Sequence, residues 1–323
     1  MSVFLYAGQG SQFVGMGADL MQTFPEFQEI AGEIRLDFDA VRLMKEGPSE
    51  VLSDTRYTQP CMALFAAGVT AVLKNHGIFA EAACGLSLGE YGALHAADVW
   101  DAKTYIELTA FRGKAMSEAA AGKVYAMSAV INAEDRLVEE ICREIKEEQA
   151  MPDENSCSGA ADSNRFVLPV NFNGPGQIVI CGDPESVEKA EFRLNQEPRV
   201  QTKRLQTSAP FHTPVLEPAK QALCDKFECI PFHTPKIPVA MNVTGKLLPQ
   251  EEDLKYLLAE QVVKPVRFRE DLTALLEAGA EDFLEIGPGK VLSGLCKRTA
   301  RALGKKVRIR TVQTAEDLCR CLE

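Results

Sequence analysis

Ser87 lies in the pattern Gly-x-Ser-x-Gly, with glycines at positions 85 and 89. This pattern is typical of a strand-to-helix elbow, where the turn is so sharp that a Cβ at either glycine would collide. Such an elbow presents a serine hydroxyl as a nucleophile for acyl transfer. The alternative is a glycine-rich turn without chemistry. We take Ser87 as the leading candidate nucleophile.

The segments on either side of Ser87 match the order that an elbow requires. Residues 80–84 have the composition of a short buried strand, and residues 88–97 have apolar positions at helical spacing. A helix that begins just after Ser87 would direct its free backbone N–H groups and its positive dipole end toward the serine. An oxyanion forms at that point during acyl transfer, so the predicted helix would stabilise it.

A base must take the proton of a serine hydroxyl before the oxygen becomes a good nucleophile, and histidine is the efficient base near pH 7. His212 follows Pro210 and precedes Pro214, so it lies on a stiff loop that suits a positioned base. No acidic residue stands out as a third member, and a backbone carbonyl can orient an imidazole instead. We therefore predict a Ser–His pair. We assign structural roles to the remaining histidines, which are His76, His95 and His233.

Composition places the chain among globular proteins, with 323 residues, 46% of them hydrophobic and 25% charged. Ten cysteines are scattered without a Cys-x-x-Cys pair, and no secretory segment is recognisable at the N-terminus. The longest apolar stretch, residues 62–73, is too short to cross a bilayer. These features predict a cytoplasmic protein with reduced thiols and no membrane partner.

The net charge of −11 argues against nucleic acid as a partner. Residues 286–315 nevertheless carry eight basic side chains and no acidic one. This basic segment indicates either a docking face for an acidic partner or a solvated helix end whose cations complement the helix dipole. Both interpretations stay open. The eight residues are Lys290, Lys297, Arg298, Arg301, Lys305, Lys306, Arg308 and Arg310.

The order of predicted elements indicates two α/β units. A strand at 3–7 and helices at 59–75 and 102–121 come first, and strands at 239–242 and 282–286 come last. Between them, the order is β-α-β-β-α-β, as in ferredoxin-like units. We predict its strands at 124–131, 166–172, 177–181 and 202–206, its helices at 133–148 and 184–195, and a polar loop at 151–164. We expect a large parallel-sheet domain from residues 1–122 and 206–323, with a small ferredoxin-like subdomain inserted at 123–205.

Six motifs in order resemble those of the malonyl-CoA:acyl carrier protein transacylases, and the resemblance covers essentially the full chain. The motifs are AGQGSQ at 7–12, GLSLGE at 85–90, RGKAM at 112–116, PVNFNGPGQ at 169–177, FH at 211–212 and EIGPGKVL at 285–292. The resemblance implies an α/β-hydrolase-like large domain. It also implies a malonyl ester on Ser87, with His212 as the base.

The resemblance extends to further site residues. The backbone N–H groups of Gln9 and Leu88 would form the oxyanion hole, and the carbonyl of Gln261 would orient the histidine. Arg112 resembles the residue that clamps the malonyl carboxylate, a task that suits a bidentate guanidinium. Met116 would line the same pocket, and the bulk of Phe211 would crowd an α-methyl group. One departure is Leu86, which stands where the family often has histidine.

These inferences predict an acyltransferase that passes malonate from malonyl-CoA to the phosphopantetheine thiol of an acyl carrier protein, in fatty-acid or polyketide synthesis. We expect no metal and no bound cofactor, and a monomer. The basic residues Lys290, Lys297, Arg298 and Arg301 are expected to dock the acidic carrier. Two alternatives are a thioester hydrolase of the same fold, which Arg112 disfavours, and a docking module without catalysis, which Ser87 and His212 disfavour.

Overall fold

A computed structural model describes residues 1–150, 165–205, 209–249 and 253–323. The predicted loop at 151–164 and the end of the strand predicted at 202–206 lie outside these residues. The strands are β1 Ser2–Tyr6, β2 Ala82–Gly85, β3 Ala126–Ile131, β4 Val167–Gly174, β5 Gln177–Gly182, β6 Gln201–Arg204, β7 Ala240–Met241, β8 Lys246–Leu247, β9 Asp282–Ile286 and β10 Arg308–Val312. The helices are α1 Ala18–Thr23, α2 Pro25–Glu33, α3 Ala40–Glu46, α4 Ser49–Leu52, α5 Thr55–Asn75, α6 Leu88–Ala96, α7 Ala102–Ala119, α8 Asp135–Ala150, α9 Pro184–Leu194, α10 Glu217–Glu228, α11 Leu254–Gln261, α12 Phe268–Glu277, α13 Val291–Ala302 and α14 Ala315–Leu322.

The first sheet has four parallel strands in the order β10-β9-β1-β2. Its central strand β1 is apolar on both faces, because Val3 and Leu5 pack into one core and Phe4 and Tyr6 into another. The carboxyl ends of β1, β2 and β9 meet at one edge of the sheet. That edge is where open α/β sheets bind their ligands, and Ser87 follows β2 directly.

The second sheet has four antiparallel strands in the order β4-β5-β3-β6. Helices α8 and α9 pack against it, over a core that includes Val130, Ile145 and Ile180. This order is the one that ferredoxin-like units adopt. The chain is therefore a mixed α/β protein with a four-stranded parallel sheet and a four-stranded antiparallel sheet, which confirms the predicted fold class.

The two sheets are joined through the segment that follows α11. Val266 donates its N–H to Val170 in β4 (2.9 Å), and Phe172 donates its N–H to Val266 (2.8 Å). An ion pair between Arg269 and Asp135 (2.6 Å) ties α12 to α8. The edge of the second sheet is thus fixed to the segment that carries Gln261.

Two parts of the structure differ from the sequence-based expectation. The strand expected at 239–242 is only the two-residue β7, which pairs with β8, and Val239 forms a single parallel bridge to Ala83. The strand β10 was not predicted, because its Arg-Ile-Arg sequence carries charges typical of a sheet edge. Among the described helices, none is long and apolar enough to span a membrane.

Candidate active site

The elbow predicted at Ser87 is present between β2 and α6. Ser87 has φ 54° and ψ −103°, a conformation that side chains rarely adopt. A Cβ on Gly85 would lie 2.0 Å from the carbonyl carbon of Gly89, and a Cβ on Gly89 would lie 2.0 Å from the carbonyl oxygen of Tyr6. The two glycines therefore allow α6 to start directly over β1 and β2.

His212 lies against the nucleophile, although the two residues are 125 positions apart. The Ser87 Oγ is 2.7 Å from His212 Nε2, and His212 Nδ1 is 2.7 Å from the backbone oxygen of Gln261. Because a carbonyl oxygen only accepts, Nδ1 carries the proton and Nε2 is free to accept from the serine. Burial, with a contribution from the Arg112 cation, lowers the pKa of His212 to about 4. The imidazole is therefore neutral at pH 7, as a general base must be.

The remaining histidines have no contact with Ser87. His95 is buried, donates its Nδ1–H to the Trp100 carbonyl (2.9 Å) and stacks on Tyr105. His76 ends α5, and the N–H of His233 donates to Val99.

Arg112 projects from α7 toward the serine and is 1% exposed. Its Nη2 donates to the Gln261 side-chain oxygen (2.9 Å) and lies 3.4 Å from Ser87 Oγ, and its Nη1 donates to Gln59 (2.8 Å). The guanidinium forms no ion pair with any carboxylate of the described residues, and within them its Nε has no hydrogen-bond partner. Burial raises the pKa of nearby Glu90 to about 8, which disfavours a negative charge on this neighbour. Within the described residues, the site therefore holds a buried cation without an ion-pair partner, beside Ser87.

Two amide side chains hold the backbone of Ser87, and the sequence predicts this role for neither of them. The Gln261 Nε2 donates to the Ser87 carbonyl (3.0 Å), and the Ser87 N–H donates to the Asn242 side-chain oxygen (2.7 Å). Gln261 was predicted only for its carbonyl. Neither side chain lies in a local motif, since both come from other parts of the chain, and no spacing signal could have found them.

The residues predicted for the oxyanion hole lie next to the elbow. Leu88 is the first residue of α6, where the backbone N–H has no partner within the helix. Gln9 follows β1, and its side chain donates to Thr55 (3.0 Å). A Cβ on Gly8 would lie 2.5 Å from the Leu86 carbonyl oxygen, so the two loops are in close contact. The role of these N–H groups stays a prediction.

Met116 and Phe211, both predicted to line the pocket, have different surroundings. Met116 is buried one turn after Arg112 on α7, and its sulfur accepts from Gln59 (3.5 Å). Phe211 is half-buried and packs against a small apolar cluster on the second sheet that includes Met127 and Val170. Phe211 also packs against the large core that includes Tyr6 of β1, so it contacts the apolar clusters of both sheets.

The basic residues at 290–310 extend from the residue before α13 to β10, and they differ in their surroundings. Arg308 and Arg310 form ion pairs with Asp282, and Arg298 donates to the Gln177 side chain. Lys290, Lys297 and Arg301 are exposed. The protein itself therefore neutralises part of the basic segment at Arg308 and Arg310, which are not among the four residues expected to dock the carrier.

Comparison with known proteins places this geometry in a family. The acyl transferase domain family matches residues 3–317. The malonyl CoA-acyl carrier protein transacylase of Escherichia coli O157:H7 is 35% identical over 303 residues, 93% of each chain. The Clostridium perfringens transacylase structure superposes with a TM-score of 0.87 at 32% identity, covering 99% of this chain and 96% of the other.

A further solved structure is that of a malonyl-transacylase in complex with a type II PKS acyl-carrier protein. It has a TM-score of 0.88 at 33% identity and covers 99% of this chain and 98% of the other. Fold, elbow and similarity along nearly the whole length agree. The chain therefore belongs to the acyl transferase family and, within it, to the malonyl-CoA:acyl carrier protein transacylases.

Proposed function

We propose that this protein moves a malonyl group from malonyl-CoA to the phosphopantetheine thiol of an acyl carrier protein, by way of a malonyl ester on Ser87. The names of its relatives support this assignment. The single observation that carries it is Arg112, a buried cation whose partners are neutral amides. Burying a charge without a partner is costly, and the carboxylate of a malonyl group would supply that partner.

The first half-reaction begins with attack of Ser87 Oγ on the thioester carbonyl carbon. His212 Nε2 takes the hydroxyl proton, and its Nδ1–H remains bonded to the Gln261 carbonyl. The carbonyl oxygen becomes an oxyanion, which the N–H groups of Gln9 and Leu88 would stabilise. The C–S bond then breaks, and the CoA thiolate leaves with the proton that His212 returns.

The second half-reaction runs the same steps in the opposite direction. The phosphopantetheine thiol gives its proton to His212, its sulfur attacks the ester carbon, and Ser87 leaves as the alcohol. Arg112 would hold the malonyl carboxylate throughout, so the acyl group stays oriented while the thiols exchange. Its selectivity for a carboxylate is of no use in the release of neutral acyl chains, which disfavours the hydrolase alternative.

The carrier protein is proposed to dock on the exposed basic residues of α13. Lys297 and Arg301 lie four positions apart on this helix, so they project from one face. We also propose that residues 123–205 act as a small subdomain that covers the cleft from the side of Phe211.

The test separates the two half-reactions. The protein loaded with malonyl-CoA is mixed with a holo carrier protein, and transfer is followed by intact-mass spectrometry of both. Lys297→Glu should raise the carrier concentration for half-maximal transfer by roughly tenfold, because it places a negative charge opposite an acidic partner. The control is Lys146→Glu on α8, which should leave transfer unchanged. Equal effects of the two variants would remove α13 from the docking surface, and a loaded protein that passes nothing to the carrier would overturn the function.

A further inference from the structure

Asn242 follows β7, is fully buried and uses every polar group it has. Its side-chain oxygen accepts from the Ser87 N–H (2.7 Å), and its Nδ2 donates to the Gly85 carbonyl (2.8 Å) and to Asp271 (2.7 Å). Its backbone N–H donates to Glu90 (2.5 Å). One side chain therefore holds the elbow at residues 85 and 87, on both sides of the turn.

The backbone of Ser87 needs such a hold. A serine at φ 54° is in a sparsely populated conformation that persists only when its surroundings fix it. Its N–H is held by Asn242, and its carbonyl accepts from Gln261, whose Nε2 also lies 3.5 Å from the Asn242 side-chain oxygen. Because the Gln261 carbonyl also holds His212, Asn242 restrains the nucleophile and is linked to the residue that restrains the base.

Asn242 is itself anchored on both sides. Glu90 lies on α6 behind the nucleophile, and Asp271 lies on α12, and both are fully buried. The Asn242 carbonyl accepts from the N–H of Arg267 (2.8 Å). Arg267 directly follows Val266, which pairs with β4. Four parts of the fold thus hold Asn242 in place. A residue that only filled space in the core would not need so many hydrogen bonds.

We propose that Asn242 is a positioning residue for the acyl-transfer step, which sets the Ser87 oxygen in line with His212. The inference rests on the proposed function, in which Ser87 is the nucleophile. Asn242 does not touch the reacting atoms. It acts through the Ser87 peptide, and its loss should misplace the hydroxyl by a fraction of an ångström, which is enough to slow a reaction that depends on alignment.

The test compares Asn242→Ala with a matched control, Ser186→Ala. Ser186 is fully buried on α9, and its hydroxyl accepts from Gln149 on α8 (2.6 Å) and donates to Asp183 just before α9, away from the elbow. Both variants lose buried hydrogen bonds and are assayed well below their melting temperatures. Asn242→Ala should lower kcat of Ser87 malonylation about 100-fold while KM for malonyl-CoA changes less than about threefold. Ser186→Ala should keep both constants within about twofold.

The outcomes separate this inference from the proposed function. If the unaltered protein takes no malonyl group on Ser87, the function fails. If it does so and Asn242→Ala loads as fast as the control, only the inference fails. A second measurement covers a variant that does not fold: in the unaltered protein, the Ser87 amide should exchange with deuterium slowly, because Asn242 holds it. Exchange as fast as that of an exposed loop amide would overturn the inference without any variant.

Discussion

At the scale of single residues, burial has opposite consequences for the two basic side chains at Ser87. Arg112 keeps its charge, because the ordinary pKa of a guanidinium is so high that the lowering by burial does not neutralise it. His212 loses its charge, because the ordinary pKa of imidazole is close to neutral. The proposed site therefore combines a permanent cation, which would face an anionic substrate, with an uncharged imidazole, which would accept the hydroxyl proton.

Replacing Arg112 should slow transfer of malonyl groups far more than transfer of acetyl groups. In Arg112→Ala we expect kcat/KM for malonyl-CoA to fall at least about 100-fold, equivalent to about 3 kcal/mol, because a charge-assisted pair is lost. Acetyl-CoA has no free carboxylate and should lose far less. Arg112→Lys should lie between, since an ammonium cannot match a carboxylate bidentately. Equal losses for the two substrates would show that Arg112 only supports the structure around Gln59 and Gln261.

The pH dependence of loading reports the state of His212. The base works only when neutral, so the rate of Ser87 acylation should be lost as pH falls through the folded-state pKa of about 4, instead of near 6.5. The measurement is kcat/KM for malonyl-CoA against pH, with circular dichroism to check that the protein stays folded. A midpoint near 6.5 would mean that the imidazole is solvated and not buried as described.

The proposed catalytic residues can be predicted from the sequence, whereas the side chains that hold them in place cannot. Ser87 follows from the Gly-x-Ser-x-Gly pattern, and His212 from elimination among four histidines. The assignment of Arg112 required resemblance to a family, because a single arginine on a helix carries no pattern of its own. Asn242, Gln59 and the side chain of Gln261 belong to no motif, since tertiary packing alone brings them to the elbow.

At the scale of elements, the elbow depends on how closely α6 approaches β1. A Cβ added to Gly89 would lie only 2.0 Å from the Tyr6 carbonyl oxygen. Because both partners are backbone in packed elements, neither can move away at low cost. The sequence predicts this strand–turn–helix order because its signals are local. The edge strand β10 is not predicted from the sequence, because Arg308 and Arg310 belong to the basic segment and because charged residues are uncommon in strands other than edge strands.

Gly89→Ala tests the close approach of α6 to β1. We expect a loss of about 3 kcal/mol in the free energy of unfolding, at the upper end of overpacking costs, together with loss of Ser87 acylation. The matched control is Gly294→Ala within α13, where an added Cβ meets nothing within 4 Å. That variant should be neutral or more stable by up to about 1 kcal/mol, because alanine favours a helix over glycine. Thermal unfolding of both variants is the measurement, and equal melting temperatures would contradict the steric argument.

At the scale of the whole molecule, the site exists only because distant parts of the chain converge. Ser87 comes from the parallel sheet and His212 from the loop after β6. Gln261 comes from the end of α11, and the segment after it pairs with the antiparallel sheet. The sequence predicts the β-α-β-β-α-β order within 124–206, and the strands and helices of the second sheet follow that order. The contact between the two sheets through Val266 cannot be predicted from the sequence, because pairing between distant segments leaves no periodic pattern.

The most direct test is whether Ser87 is the residue that takes the acyl group. Purified protein is mixed with malonyl-CoA and weighed intact, beside Ser87→Ala and His212→Ala. The unaltered protein should gain one malonyl group, and Ser87→Ala should gain none. His212→Ala should acquire the group at least about 100-fold more slowly, because no base takes the hydroxyl proton. Undiminished labelling of Ser87→Ala would contradict the account.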